Sequence, residues 1–193
     1  MKHKILLLTG LFLTLNLFIS AIKPQKNKTT MDKIVFTGIK TTWSGDDAWK
    51  EWDIKTNNGT GTLKTTWSNS KSEWDFSVNS ISGSIKTVWS DSYADWHLWA
   101  NGNTVEMKTK WSDDWHEWTI SDASGSYTLK TVWSGDDAWK EWTFETNNGT
   151  MKIKTTWSGD NAWKEWNITD NMPSEKPELK MAAIFIAIFN GMP

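Results

Sequence analysis

Two interleaved series of tryptophans decide what this chain can become. One stands at Trp43, Trp67, Trp89, Trp111, Trp133 and Trp157, the other at Trp52, Trp74, Trp96, Trp118, Trp142 and Trp166. From each second-series Trp to the next first-series Trp the distance is always 15 residues, whereas the return distance is 9, 7, 7, 7, 9 and 9. Such a period marks six copies of one structural unit. One half of that unit is fixed in length, and the other accepts two extra residues.

The fixed half carries a turn signal near its middle: NNGT at Asn57 and Asn147, SISG at Ser80, ANGN at Ala100 and DASG at Asp122. Pairs such as Asn-Gly supply the positive φ angles of tight hairpins. A paired hairpin cannot change length without slipping register and turning its side chains over. The variable half (SGDDAWKE, SNSKSE, SDSYAD, SDDWHE) reads as a polar surface loop, where insertions cost little.

Alternation along the arms predicts strands. Trp52, Ile54 and Thr56 share one face and Asp53 and Lys55 the other; Leu63, Thr65 and Trp67 oppose Lys64 and Thr66. The same period of two recurs at Trp118/Ile120, Trp142/Phe144 and Ile39/Thr41/Trp43, so each strand has an apolar, Trp-bearing face and a Lys/Thr/Asp face. Counting arms across residues 32–170 predicts twelve short antiparallel strands, the first ending near Trp43 and the last running from near Trp163 to near Asp170. A sheet of this size with one apolar face must curl, split or cover itself.

After Asp170 the pattern changes. Residues 171–178 form a Pro-containing linker, and the segment over 179–190 is apolar on every side from Met181 to Phe189. Ser174 as N-cap, Pro177 in a first turn and Gly191 at the end predict a helix. A thirteenth, buried strand is the competing reading. A helix apolar all round is a buried one. The expected fold is therefore all-β with one C-terminal helix: a closed twelve-stranded antiparallel barrel of six hairpin repeats wrapped around that helix. A β-sandwich and an open repeat sheet are the alternatives.

With its twelve predicted strands, hairpin phrases such as WTISDASGSYTLK and the terminal PELKMAAIFIAIFNG, the chain resembles the tubby-like superfamily, which includes the phospholipid scramblases and the LURP-one-related proteins. The likeness covers roughly residues 32–190 and is one of architecture, with no functional motif matched. It implies a barrel threaded by a hydrophobic C-terminal helix, and a lipid or other apolar ligand as first partner.

At the N-terminus, Lys2, His3 and Lys4 precede an apolar stretch from Ile5 to Ile19, and Ser20-Ala21 offers a small-residue cleavage site. Residues 1–21 read as a secretory signal peptide followed by a polar linker over 22–31, with an N-terminal membrane anchor as the alternative. The expected location is the periplasm, cell surface or extracellular space. The chain has no Cys, so packing alone must hold the exported fold. All 21 basic residues are Lys, against 23 acidic ones, a balance unsuited to a nucleic-acid partner. A monomer is expected.

Chemistry candidates are few. Six near-equal copies supply no single asymmetric constellation of the kind catalysis needs, and no catalytic residue, cofactor or metal is assigned. The acidic pairs Asp46-Asp47, Asp113-Asp114 and Asp136-Asp137 could hold Ca²⁺, but acidic turn residues also serve simply as solvated loop ends. His97 and His116 lack a third ligand. The strongest ligand-binding candidates are the loop rings Trp49, Trp115, Trp139 and Trp163 with Asp47, Asp114 and Asp137 beside them. Exposed rings beside polar groups make a platform for a sugar, and repetition adds avidity. Packing over the barrel rim is the competing role for those rings. The expected function is a non-catalytic exported binding or structural module of the cell envelope, lipid-directed or membrane-associated, with a multivalent lectin-like protein as the alternative.

Overall fold

Which side of each strand is buried follows from the alternation just described, and the computed structural model places it as a closed surface. It describes residues 33–90 and 92–193; the signal peptide and polar linker read from residues 1–31 lie outside them. The first six strands are β1 Phe36–Thr41, β2 Glu51–Thr56, β3 Gly59–Thr65, β4 Glu73–Val78, β5 Ile81–Trp89 and β6 Ser92–Ala100. The other six are β7 Asn103–Trp111, β8 Asp114–Asp122, β9 Gly125–Thr131, β10 Glu141–Thr146, β11 Gly149–Thr155 and β12 Glu165–Asp170. Every strand pairs antiparallel with its sequence neighbours, and β1 pairs with β12 through Gly38–Asn167, Ile39–Trp166 and Lys40–Glu165. The sheet is a twelve-stranded up-and-down barrel without edges, so no row of backbone groups is left open to another chain.

This meander gives the barrel two unlike ends. The five tight turns lie at one end, together with the start of β1 and the finish of β12. The six variable loops lie at the other. At the turn end Asn101 and Gly102 adopt φ of 51° and 75°, the left-handed pair that the ANGN signal predicts. At the loop end the two loop lengths have distinct structures. The three nine-residue spacings fold through 3-10 turns, Ala48–Lys50, Ala138–Lys140 and Ala162–Lys164. Two of the seven-residue spacings instead continue as strand: Trp89 pairs with Ser92 and Trp111 with Asp114, and Asp113 at φ 61° turns the second of these hairpins.

The inward face is apolar apart from threonines such as Thr87 and Thr155 and from Asp170 at the end of β12. Trp52, Trp74, Trp96, Trp118, Trp142 and Trp166 are all buried, in one cluster with Ile54, Phe76, Ile85, Leu98, Met107, Ile120, Phe144 and Ile153. Opposite them stand Lys, Thr, Asp and Glu.

The C-terminal segment is α1, Pro177–Gly191, slightly longer than the predicted 179–190. Pro177 occupies the first turn as expected. Ser174 is not its cap. The N-cap residue is Lys176, whose N–H donates to Glu175 Oε1 at 2.9 Å, and Ser174 instead accepts from Lys33 Nζ at 3.1 Å. Glu178–Ile188 are buried, and Leu179 and Met181–Ile188 belong to the same cluster as the inward strand residues. Phe185 meets Trp74 and Trp96 edge-on at 5.7 and 4.9 Å, and Phe189 meets Trp96 at 4.8 Å. Its first turn touches the turn end, where Asn101 Nδ2 donates to Glu178 Oε1 at 2.9 Å. Its last turn reaches the loop end, where any side chain at Gly191 would strike the rings of Trp139 and Trp166.

One charged pair sits in this apolar surround. Lys180 is fully buried and its Nζ lies 2.8 Å from Asp170 Oδ2, with the carbonyls of Ile34 and Met172 as further acceptors. Asp170 also accepts the N–H groups of Phe36 and Met172, each at 3.0 Å. A buried ion pair is tolerable only when its remaining hydrogen-bonding capacity is used, and here it is. The pair ties α1 to both strands of the closing seam.

Candidate functional site: the tryptophan lip

Each second-series Trp does two jobs. Its ring fills the core, and its indole N–H donates to the backbone carbonyl three residues earlier. The acceptors are Trp49, Lys71, Tyr93, Trp115, Trp139 and Trp163, at 2.6–3.0 Å in all six units. This bond, closed between a buried donor and a carbonyl in the loop or at the start of the strand that follows it, ties the loop end to the core whatever side chain the acceptor residue carries.

Three of the four predicted ligand rings are engaged in packing. Trp49 lies edge-on to Trp74 at 6.1 Å, Trp163 to Trp52 at 6.0 Å, and Trp139 is tilted against Trp166 at 6.0 Å. Each long-loop ring thus rests on the core Trp of the next unit around the barrel, and Trp163 does so across the seam. Trp163 is buried; Trp49 and Trp139 are half-buried, with Lys50 and Lys140 over their rings. Trp115 leans instead on Trp118 of its own unit and keeps 39% of its surface exposed. The predicted carboxylates are each engaged within their own loop: Asp47 pairs with Lys50 at 2.7 Å, Asp137 with Lys140 at 2.5 Å, and Asp114 accepts from the His116 ring at 2.9 Å. Backbone and ring hydrogen bonds from His116 hold the Asp114 carboxyl below its ordinary range. Among the described residues no three His, Asp or Glu side chains gather as a metal would require.

The first series behaves differently from the face it was predicted to share. Ile39 and Thr41 follow the inward rhythm, but in four units the strand ends before its Trp, and in β5 and β7 the Trp is the last strand residue. The ring passes the end of the sheet. Trp43, Trp67, Trp89, Trp111, Trp133 and Trp157 are 60–66% exposed, all at the loop end. They form a lip of six large aromatic rings.

The polar groups of the lip are as regular as its rings. Trp43 Nε1 donates to Glu51 Oε2 at 2.9 Å, Trp67 to Glu73 at 3.3 Å, Trp133 to Glu141 at 3.2 Å and Trp157 to Glu165 at 2.8 Å. The same acidic position faces a lysine of the neighbouring strand in every unit: Glu51–Lys64, Glu73–Lys86, Asp95–Lys108, Glu117–Lys130, Glu141–Lys154 and, across the seam, Glu165–Lys40. Ion pairs close at 3.0 Å for Lys154–Glu141 and 3.6 Å for Lys86–Glu73 and Lys108–Asp95. The hydrogen bond from Lys154, helped by Trp133 and outweighing partial burial, holds the Glu141 carboxyl below its usual range. A belt of Trp, carboxylate and Lys thus surrounds the mouth.

Comparing the six units shows which residues repeat. Lys-Thr-x-Trp-Ser stands at 40–44, 64–68, 86–90, 108–112, 130–134 and 154–158, and an acidic residue precedes every second-series Trp. The tight turns are less uniform: two read NNGT and the other three differ. Sequence reasoning passed over the first series because alternation assigned it to the core. Its place at the junction with a loop of variable length was the signal that it leaves the sheet.

Chemically, each unit offers an exposed indole, and in four of the six its N–H is held by a carboxylate, with lysine ammonium groups beside it. Such a surface stacks against flat C–H faces and bonds to hydroxyls. No family model, curated protein or solved structure matches the chain.

Proposed function

We propose that this chain is a non-catalytic binding module, exported to the cell envelope, that holds neutral glycans through its tryptophan lip. The observation that carries the reading is the set of six rings exposed at one end and repeated in every unit, although burial demands none of them. Large exposed aromatic patches mark interaction sites. The barrel, folded around its own C-terminal helix, offers its rim to a ligand, in keeping with a tubby-like architecture read as a scaffold. Trp115, the one strongly exposed ring of the predicted set, belongs at the edge of this surface.

A lipid surface is the second reading, because Trp favours the membrane interface and the rings share one end. The loop tips oppose it. Asp46, Asp47, Asp113, Asp136, Asp137 and Asp160 are exposed there and would meet a bilayer along with the rings. The outward strand face is polar apart from Trp99 and Val88, unlike the lipid-facing band of a membrane barrel, and no helix among the described residues is long and apolar enough to cross a membrane.

The test is co-sedimentation of the full chain with insoluble neutral polysaccharides and, separately, with phosphatidylcholine vesicles. Retention on a polysaccharide that soluble oligosaccharide reverses is expected. Failure to bind any polysaccharide would overturn the glycan reading, and vesicle binding in its place would establish the lipid one.

A further inference from the structure

The six lip rings divide into two arcs. Because β1 closes on β12, the three long loops, separated in sequence as the first, fifth and sixth, are contiguous around the mouth: β9–β10, β11–β12, β1–β2. The three short loops make up the other half.

The long-loop arc is built three times in the same way. Each loop reads Trp-Ser-Gly-Asp-(Asp/Asn)-Ala-Trp-Lys-Glu-Trp. Gly45, Gly135 and Gly159 sit at φ of 94°, 93° and 88°, a conformation that side chains disfavour, so the chain turns at the same point in each. Ala48, Ala138 and Ala162 are buried beneath the 3-10 turns. Trp49, Trp139 and Trp163 anchor the loops on the next unit's core Trp, as described above. The result is that Trp43, Trp133 and Trp157 are presented alike, each with its indole N–H held by the glutamate eight residues on, at 2.8–3.2 Å. The short-loop arc lacks this uniformity. Trp111 has Lys110 over its ring while Glu117 accepts from Lys110 at 2.6 Å, and Trp89 sits in a strand hairpin.

Neighbouring lip rings along the arc stand two strands apart, so their spacing is about 10 Å. That is the length scale of a disaccharide. Three equivalent platforms at equal steps suit a ligand that itself repeats at equal steps. The exposed aspartates at the loop tips disfavour anionic polymers, and the saturated indole N–H groups leave ring faces as the contact.

We infer that the arc Trp133–Trp157–Trp43 is a three-subsite run for an extended neutral polysaccharide, and that the short-loop arc is not part of it. The inference rests on the glycan reading above and names its polymer class and location. Each ring stacks on alternate sugars of one chain, and the three contacts combine by avidity.

The experiment titrates the full chain with cello- and chito-oligosaccharides of increasing length. It compares wild type with two triple variants, W43A/W133A/W157A and W67A/W89A/W111A, each first checked for an unchanged unfolding midpoint. Affinity is expected to rise with length until the chain spans two intervals, about 20 Å, and then level off. Each single arc substitution should weaken binding about three- to tenfold, and the arc triple at least on the order of a hundredfold. The short-loop triple should stay within about twofold of wild type. If wild type binds and both triples lose alike, or affinity ignores chain length, the inference fails and the glycan reading stands. If wild type binds neither oligosaccharide series nor any insoluble polysaccharide, the glycan reading fails and takes the inference with it.

Discussion

The two ends of this barrel use the same strands to opposite effect. At the turn end polar side chains converge on the chain leading into α1: Asn148 donates to Glu175 at 3.1 Å, Asn101 to Glu178, and Lys176 contacts Asp122 at 2.6 Å. Lys180 and Asp170 close the seam just inside. At the loop end the six indoles have their N–H groups or flanking strands fixed while their faces remain in solvent. A buried ring is explained by packing; a ring held in place and left exposed is arranged for contact with something else. One repeat thus carries a Trp for the fold and a Trp for the surface, nine or seven residues apart.

The contrast can be broken most severely at the turn end. Lys180→Ala leaves Asp170 buried without its cation and is expected to cost about 3–5 kcal/mol in chemical denaturation. Oligosaccharide binding by the fraction still folded should be unaffected, and a cost below about 1 kcal/mol would show that the seam does not depend on this pair.

A pair of matched substitutions sharpens the difference between the series. Trp118→Phe removes the donor that pins the β7–β8 loop and leaves both a gap and an unpaired carbonyl, for an expected loss of about 1–3 kcal/mol. Trp111→Phe, on the lip at the other side of the same loop, should stay within about 0.5 kcal/mol of wild type. Equal losses would erase the distinction.

The smallest effect is one of pH. Partial burial raises the Asp122 carboxyl, but the hydrogen bonds from Lys176 and Ser124 outweigh it and hold the group below its ordinary range. Its contribution is therefore present above the ordinary carboxylate pKa and lost as pH falls through the depressed one. Lys176 is raised by the same contact, so its share persists through neutral pH and disappears only as pH rises through a value above the ordinary lysine range. Because Lys176 is partly exposed, Asp122→Asn should cost only about 0.5–1 kcal/mol at neutral pH. That difference from wild type should vanish in strong acid, and a constant difference down to low pH would contradict the assignment.

Much of the fold was legible because the repeat made one reading agree with itself six times. The invariant interval of 15 residues could only be a paired hairpin, and twelve arms with one apolar face led to a closed sheet. The helix boundary was legible at Pro177, where the missing N–H costs nothing, but not at Ser174, because the position directly before Pro177 is occupied by Lys176. The site was less legible. Trp49, Trp139 and Trp163, set in polar loops, left display and rim packing both open, and a loop of nine folds back far enough to lay its ring on the next unit's core Trp. Trp43 and its equivalents looked like core since they keep the inward parity, yet parity places a side chain only while the strand continues. The misplacement of the first series comes from applying a local pattern past the end of the element that enforces it. The belt of Glu–Lys pairs depends on register between strands 13 or more residues apart and on the β1–β12 closure, which no local pattern contains.

The central claim is that the two series have separate roles, and the indole N–H resonances of ¹⁵N-labelled protein test it most directly. The six second-series indoles, buried and bonded to carbonyls, should exchange slowly with deuterium, while the six lip indoles exchange fast. Adding the oligosaccharide that binds in titration should then shift the lip resonances and leave the inner six in place. Lip indoles as protected as the inner ones, or inner resonances that respond while the lip stays silent, would contradict the account.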